Sequence, residues 1–183
     1  MFDMKRSVRV FLILSSVLLA VGTVAALNWP RLLLAYAGWS VQNTAAGVSV
    51  CDRVEVFRLD GLTDADSTHG FPIRPGHKEY SRILDRRTLT GADADQITQL
   101  WRSQNFGLEY ESLCHQPAYG FRFYRGESLR FETSVCFRCS SFTVTLFGEE
   151  GQWGFDTTTT RAQELLARLQ WVFPGNMPAP GSK

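Results

Sequence analysis

Hydrophobic and polar residues alternate most regularly in "GFRFYRGESLRFETSVCF", Gly120 to Phe137, where two runs of period two meet at Gly126, Glu127 and Ser128. Successive side chains of a strand point to opposite faces, so the pattern predicts a β-hairpin. One face would carry Phe121, Phe123, Leu129, Phe131, Thr133, Val135 and Phe137; the other would carry Arg122, Tyr124, Arg130, Glu132, Ser134 and Cys136. "SFTVTLFG", a Glu-Glu-Gly turn and "QWGFDT" predict a second hairpin directly after it. Upstream, residues 51–59 in "CDRVEVFRLDG" and the run "YSRILDRRTL" read as two more strands. Gly70, Pro72, Pro75 and Gly76 mark the polar stretch 62–76 between them as a long loop.

The period changes to that of a helix in "TGADADQITQLWRSQ". Ile97, Leu100 and Trp101 share one face there, and Thr90 with Asp93 has the spacing of a capping box. A second helix begins after Thr160, itself paired with Gln163, and its apolar face is Ala162, Leu165, Leu166, Leu169 and Val172 before Pro174 and Gly175 end it. The order strand, strand, helix, two hairpins, helix lacks βαβ alternation. The expected class is α+β: an antiparallel sheet of five to six strands with two helices packed on one face, preceded by an N-terminal transmembrane or signal helix.

That leading helix is read from "VFLILSSVLLAVGTVAAL", Val10 to Leu27, which carries no charge. At ~1.5 Å per residue it is about long enough to cross a hydrocarbon core of ~30 Å. Lys5, Arg6 and Arg9 precede it, which keeps the N-terminus in the cytoplasm and exports the chain beyond Leu27. Val24, Ala25 and Ala26 form a small-residue cleavage site at Ala26, whereas Trp29 and the apolar stretch Pro30 to Trp39 extend the run as an anchor would. The expected organisation is residues 1–48 as membrane anchor or signal peptide plus juxtamembrane helix, 49–173 as the exported domain and 174–183 as a mobile tail. The expected location is the cell envelope, anchored in the inner membrane with the C-terminal domain outside the cytoplasm, or periplasmic or secreted after cleavage near Ala26.

Composition narrows the partners. The chain has 183 residues, 44% hydrophobic and 20% charged, with a formal net charge of +1. Such a chain folds as one ordinary domain with accessory segments. Arg122, Arg125, Arg130 and Arg138 are interleaved with Glu127 and Glu132, so they read as a solvated strand face, and no nucleic-acid partner is expected.

Candidate chemistry is concentrated in "CHQPAYGFRF" and "CFRC". Folding of the hairpin brings Cys114 and His115 beside Cys136 and Cys139, while Cys51 opens the first strand. An even number of cysteines in an exported domain points to disulfides among Cys51, Cys114, Cys136 and Cys139. The favoured pairing is Cys114 with Cys139 and Cys51 with Cys136. The alternative is a zinc site formed by Cys114, His115, Cys136 and Cys139, with Glu111 or Glu132 as the nearby carboxylate; otherwise no cofactor is expected. Thiol redox chemistry of the kind that uses a helix N-terminus is not indicated, because the CxxC lies between strands. His115 reads as a loop residue capping backbone groups, and His69 and His77 as solvated.

Cys114, Pro117, Tyr119, Gly120 and Arg122, together with Cys136-Phe137-Arg138-Cys139 after the hairpin, resemble the Cys-x-x-Pro … Cys-Phe-x-Cys hairpin motif of an uncharacterised family of small bacterial exported and lipoprotein domains. Ala118 and Tyr119 depart from the Arg-His pair frequent there. The resemblance implies the fold and the compartment. From the residues themselves the expected function is a non-catalytic, membrane-anchored binding or assembly module that meets another envelope protein through Trp171 and Tyr124. An immunity-type inhibitor of a secreted toxin and a zinc protein or enzyme are the alternatives.

Overall fold

Strand pairing in the computed structural model is antiparallel throughout, and it joins more of the chain than the alternation predicted. The described residues are 51–61, 70–74, 79–107, 114–146 and 149–174, together with Thr23, Asn28, Trp29, Tyr36, Gly38, Trp39, Ser40, Gln42, Asn43 and Val48. The chain divides into two units, Met1–Ala37 and Gly38–Lys183. In the first, Trp29 and Tyr36 are helical and exposed. Val10 to Leu27 lies, apart from Thr23, outside the described residues, as do His69, His77, Glu111 and residues 175–183. Among the described residues no helix is long and apolar enough to cross a membrane.

The second unit contains β1 (Arg53–Leu59), β2 (Gly70–Arg74), β3 (Glu79–Thr90), α1 (Gly91–Arg102), β4 (Phe106–Gly107), β5 (Tyr119–Arg125), β6 (Ser128–Cys136), β7 (Ser141–Leu146), β8 (Glu149–Phe155) and α2 (Thr160–Val172). They form one eight-stranded sheet in the order β2-β3-β1-β5-β6-β7-β8-β4. This corrects the expected five to six strands, because two edge strands escaped the alternation. β2 lies in the stretch read as a loop and pairs with the first residues of β3 despite Pro72, a residue tolerated at a sheet edge. β4 is two residues long, Phe106 facing Phe155 and Gly107 facing Gly154, too short to show a period.

The predicted hairpin is β5–β6, with Phe121 opposite Thr133 and Phe123 opposite Phe131. Gly126 takes φ +56° at the first loop position, the demand of a type II′ turn. The register shifts after Phe123, so that Tyr124 faces Leu129, and Leu129 leaves the core face for solvent. The core side of the sheet buries Val54, Val56, Phe121, Phe123, Phe131, Val135 and Phe142 under the two helices. Trp101 of α1 sits among the rings of Phe106, Phe121, Phe131 and Phe142 at centroid distances of 5.2, 5.7, 6.0 and 5.5 Å. These offset and edge-on arrangements are the ones ring quadrupoles favour.

Both predicted helices form, with different starts. Thr90 is the N-cap of α1 but makes no side-chain cap bond, and Asp93 pairs with Arg168 of α2 instead of reaching back. The capping residue of α2 is Thr159, one residue earlier than expected, and its Oγ1 accepts the Ala162 amide at 3.2 Å. Gln163 donates to the Thr157 carbonyl, so neither capping box closes.

The face away from the helices has a smaller apolar cluster of Phe57, Leu59 and Phe71, with Ile83 against it. The ring of Phe71 lies directly on Gly120. A Cβ there would come within 2.6–2.8 Å of three of its ring atoms, and the Phe71 ring also packs against Phe57, the residue facing Gly120 across the sheet, at 4.9 Å. We predict that Gly120→Ala lowers stability by about 1–3 kcal/mol in urea unfolding, the usual cost of overpacking. In the Phe71→Ala background the same change should cost well under half as much; equal costs in both backgrounds would contradict the close approach.

Candidate functional site

Residues 114–118 run into β5 alongside the end of β6. The Ala118 amide donates to the Val135 carbonyl at 3.2 Å, so the pairing that sets Tyr119 opposite Val135 continues backward toward Cys114. Beyond Cys136 the chain turns through Phe137–Ser140 into β7, where Ser141 faces Cys136. This folding back places Cys139 beside Cys114, and the two are joined by a disulfide across a Cα separation of 5.9 Å, a normal span for such a bridge.

Cys51 and Cys136, by contrast, are buried and unbridged, which corrects the second expected pairing. The register gives the reason. Arg53 faces Tyr124 at one end of β5, whereas Val135 faces Tyr119 at the other. Five strand residues, about 17 Å at ~3.3 Å each, separate the two ends, far beyond the reach of a disulfide.

His115 is tied to side chains rather than to backbone groups. Its Nδ1 lies 2.9 Å from Ser141 Oγ and its Nε2 lies 2.7 Å from Ser134 Oγ. Ser134 Oγ is in turn 2.8 Å from Thr143 Oγ1, which accepts the Ser134 amide at 3.1 Å. One ordering uses every hydroxyl: Thr143 donates to Ser134, Ser134 to Nε2, Nδ1–H to Ser141, and Ser141 to the Cys114 carbonyl at 3.4 Å. That carbonyl also accepts from Gln152 Nε2 of β8 at 3.3 Å. Ser134 and Ser141 are fully buried, so neither offers its oxygen to a substrate. The chain of bonds fixes the residues before β5 to β6, β7 and β8.

Cys136 contributes a third element. Its Sγ accepts the Cys139 amide at 3.1 Å, closing the CxxC turn on itself. Burial pushes its thiol above the ordinary value, and backbone amides of Cys139, Gln116 and Arg138 offset part of that by favouring the thiolate. Burial also raises Cys51, assisted by the neighbouring Asp52 carboxylate.

For the zinc alternative, Cys114 and Cys139 hold each other, His115 faces Ser134 and Ser141, and Glu132 pairs with Arg122. Among the described residues no three histidine, cysteine, aspartate or glutamate side chains gather as a metal site.

The sheet face expected to be solvated is partly enclosed. Glu55 is only 3% exposed, paired with Arg86 and accepting from the Tyr124 hydroxyl at 3.2 Å. Arg122 pairs with Glu132 while its guanidinium covers the rings of Phe57 and Phe71 at 5.1 and 5.3 Å. Burial first, then the Glu55 charge, raise the Tyr124 phenol above its ordinary value. Arg53 lies over the Tyr124 ring at 4.2 Å. Tyr124 is therefore engaged within the sheet. Trp171 behaves differently: it is 63% exposed near the end of α2, with the Arg168 guanidinium 4.0 Å from its ring.

Sequence reasoning missed Glu55, Ser134, Ser141 and Thr143. Their only local signal is a polar residue inside an apolar strand, and what makes them a group is register. Comparison with protein-family models, with curated proteins and with solved structures finds no match to this chain.

Replacing His115 by Ala should leave the buried Ser134 and Ser141 hydroxyls without their ring partner. Each keeps one partner, Thr143 for Ser134 and the Cys114 carbonyl for Ser141, so at roughly 0.5–1.5 kcal/mol per lost hydrogen bond we expect a loss of about 1–3 kcal/mol in urea unfolding monitored by tryptophan fluorescence. A variant as stable as the parent would show that the histidine bonds do not hold this end of the sheet.

Proposed function

We propose that this chain is a binding or assembly module of the cell envelope, exported by its apolar N-terminal segment and stapled by the Cys114–Cys139 disulfide. The observation that carries the reading is Trp171. A large aromatic side chain at high exposure normally gains freedom in solvent, and this one lies under a guanidinium that is itself paired with Asp93 of the other helix. An aromatic anchor ordered before contact loses less entropy on binding, which is how such residues come to dominate interface energies. The staple supports the compartment, since structural disulfides persist where the surroundings are oxidising.

The partner contacted through Trp171 is another envelope protein. An immunity role against a secreted toxin belongs to the same class and differs only in what that partner is. Tyr124 is a poorer contact than the sequence suggested, because its hydroxyl and ring face are both in use within the sheet.

A photo-crosslinking amino acid placed at position 171 of the full chain, expressed in the source cells, tests the proposal. We expect one discrete crosslinked product from position 171 and none from position 129, an exposed site on the hairpin. Equal, diffuse products from both positions, or none from 171, would contradict it. Trp171→Ala should change stability by less than ~1 kcal/mol while removing the product captured from neighbouring positions of α2, which separates a contact role from a folding role.

A further inference from the structure

We infer that the Cys114–Cys139 bridge and the Cys136 thiol form an exchange site, in which the disulfide moves to Cys136–Cys139 and presents Cys114 as a surface thiol reactive toward disulfide-bearing molecules. The bridge ends at Cys139, in the turn that directly follows Cys136. Cys136 and Cys139 bracket two residues of the Phe137–Ser140 turn, and the Cys139 amide already rests on the Cys136 sulfur at 3.1 Å. The turn is tight: the Ser140 amide reaches back to the Phe137 carbonyl at 3.4 Å, and Ser140 takes φ +50°, an uncommon conformation for a residue with a side chain.

The three cysteines differ in access. Cys136 and Cys139 are buried, while Cys114 is exposed. A reagent from solvent therefore meets the Cys114 side of the bridge, while the buried Cys136 sulfur already contacts the backbone amide of Cys139. Amides of Cys139, Gln116 and Arg138 surround the Cys136 sulfur and favour its anion at that spot. Cys51, the other unbridged thiol, is at the opposite end of β5 and has no bridge to attack.

The step balances without an outside oxidant. The Cys136 thiolate attacks Cys139 Sγ, a Cys136–Cys139 bond forms, the Cys139–Cys114 bond breaks, and the electron pair leaves on Cys114. The proton given up by Cys136 ends on Cys114. A disulfide from solution then takes Cys114 by the same chemistry, forming a mixed disulfide and releasing one thiol. Because the attacking species is a thiolate whose parent thiol burial holds above its ordinary value, exchange should rise about tenfold per pH unit through the neutral range.

The test uses the full chain carrying Cys51→Ser, treated under native conditions at pH 6 to 9 with a small aromatic disulfide reagent. Peptide mapping then locates the modified cysteine. We expect modification at Cys114, faster by about tenfold per pH unit, together with a Cys136–Cys139 linkage after acid quenching; the further change Cys136→Ala should abolish labelling of Cys114. Labelling of Cys136 alone, no labelling of Cys114 up to pH 9, or Cys114 labelling that survives Cys136→Ala would each overturn the proposal. If Cys136→Ala does not fold, the Cys136–Cys139 linkage in the parent decides: its presence supports exchange and its absence refutes it.

Discussion

The register among β5, β6 and β7 is the constraint on which the rest of this domain depends. Tyr119 opposite Val135 and Phe142 opposite Val135 place apolar side chains under Trp101 on one face. The intervening residues then fall on the other face, Gly120 under Phe71, Ser134 and Ser141 within reach of His115, and Thr143 beside Ser134. A strand side chain changes face with every residue, so a slip of one position would send the phenylalanines to the polar side and the serines into the aromatic core. The two faces stabilise the same pairing from opposite directions: one by burying rings, the other by joining the hydroxyls of Ser134, Ser141 and Thr143 to His115 and to one another.

The same register determines which cysteines can meet. It carries Cys114 back along β6 to the turn that holds Cys139, and it moves Cys51 to the far end of β5. Closing 25 residues with a disulfide stabilises by about 3.5 kcal/mol in the chain-entropy account, a sizeable share of the ~5–15 kcal/mol typical of a domain. The bridge, the histidine and the Gln152 bond to the Cys114 carbonyl all fasten one short segment, residues 114–118, to three successive strands. The exposed Trp171 lies on the helix layer across the sheet, where no part of this fastening is needed to order it.

Much of this was legible in the residues, and the parts that were not share a common cause. Both hairpins and the buried stripes of both helices arise from local periodicity, although Glu149, Glu150 and Gly151, read as the second turn, belong to β8 and pair with β7. Leu129 broke its own pattern because a register shift after Phe123 turns it outward, which a period of two cannot anticipate. β2 and β4 were missed because one contains Pro72 and the other has two residues; edges form by pairing with what is already there, not by local preference. Asp93 and Gln163 had the spacing of capping residues, but Arg168 and the Thr157 carbonyl offered partners fixed by tertiary structure. Glu55 gave no signal in the sequence because its partners Arg86 and Tyr124 are 31 and 69 residues away. Cys114 with Cys139 could be read from hairpin closure, whereas Cys51 with Cys136 failed because strand order, not count, decides reach.

The account is tested most directly by the ¹³Cβ chemical shifts of the four cysteines in the folded, unreduced protein, since oxidised and reduced cysteines resonate in separate ranges. It predicts oxidised shifts at Cys114 and Cys139 and reduced shifts at Cys51 and Cys136 near neutral pH. An oxidised Cys51 would contradict it, because no bridge from that position is compatible with the pairing of β1, β5 and β6.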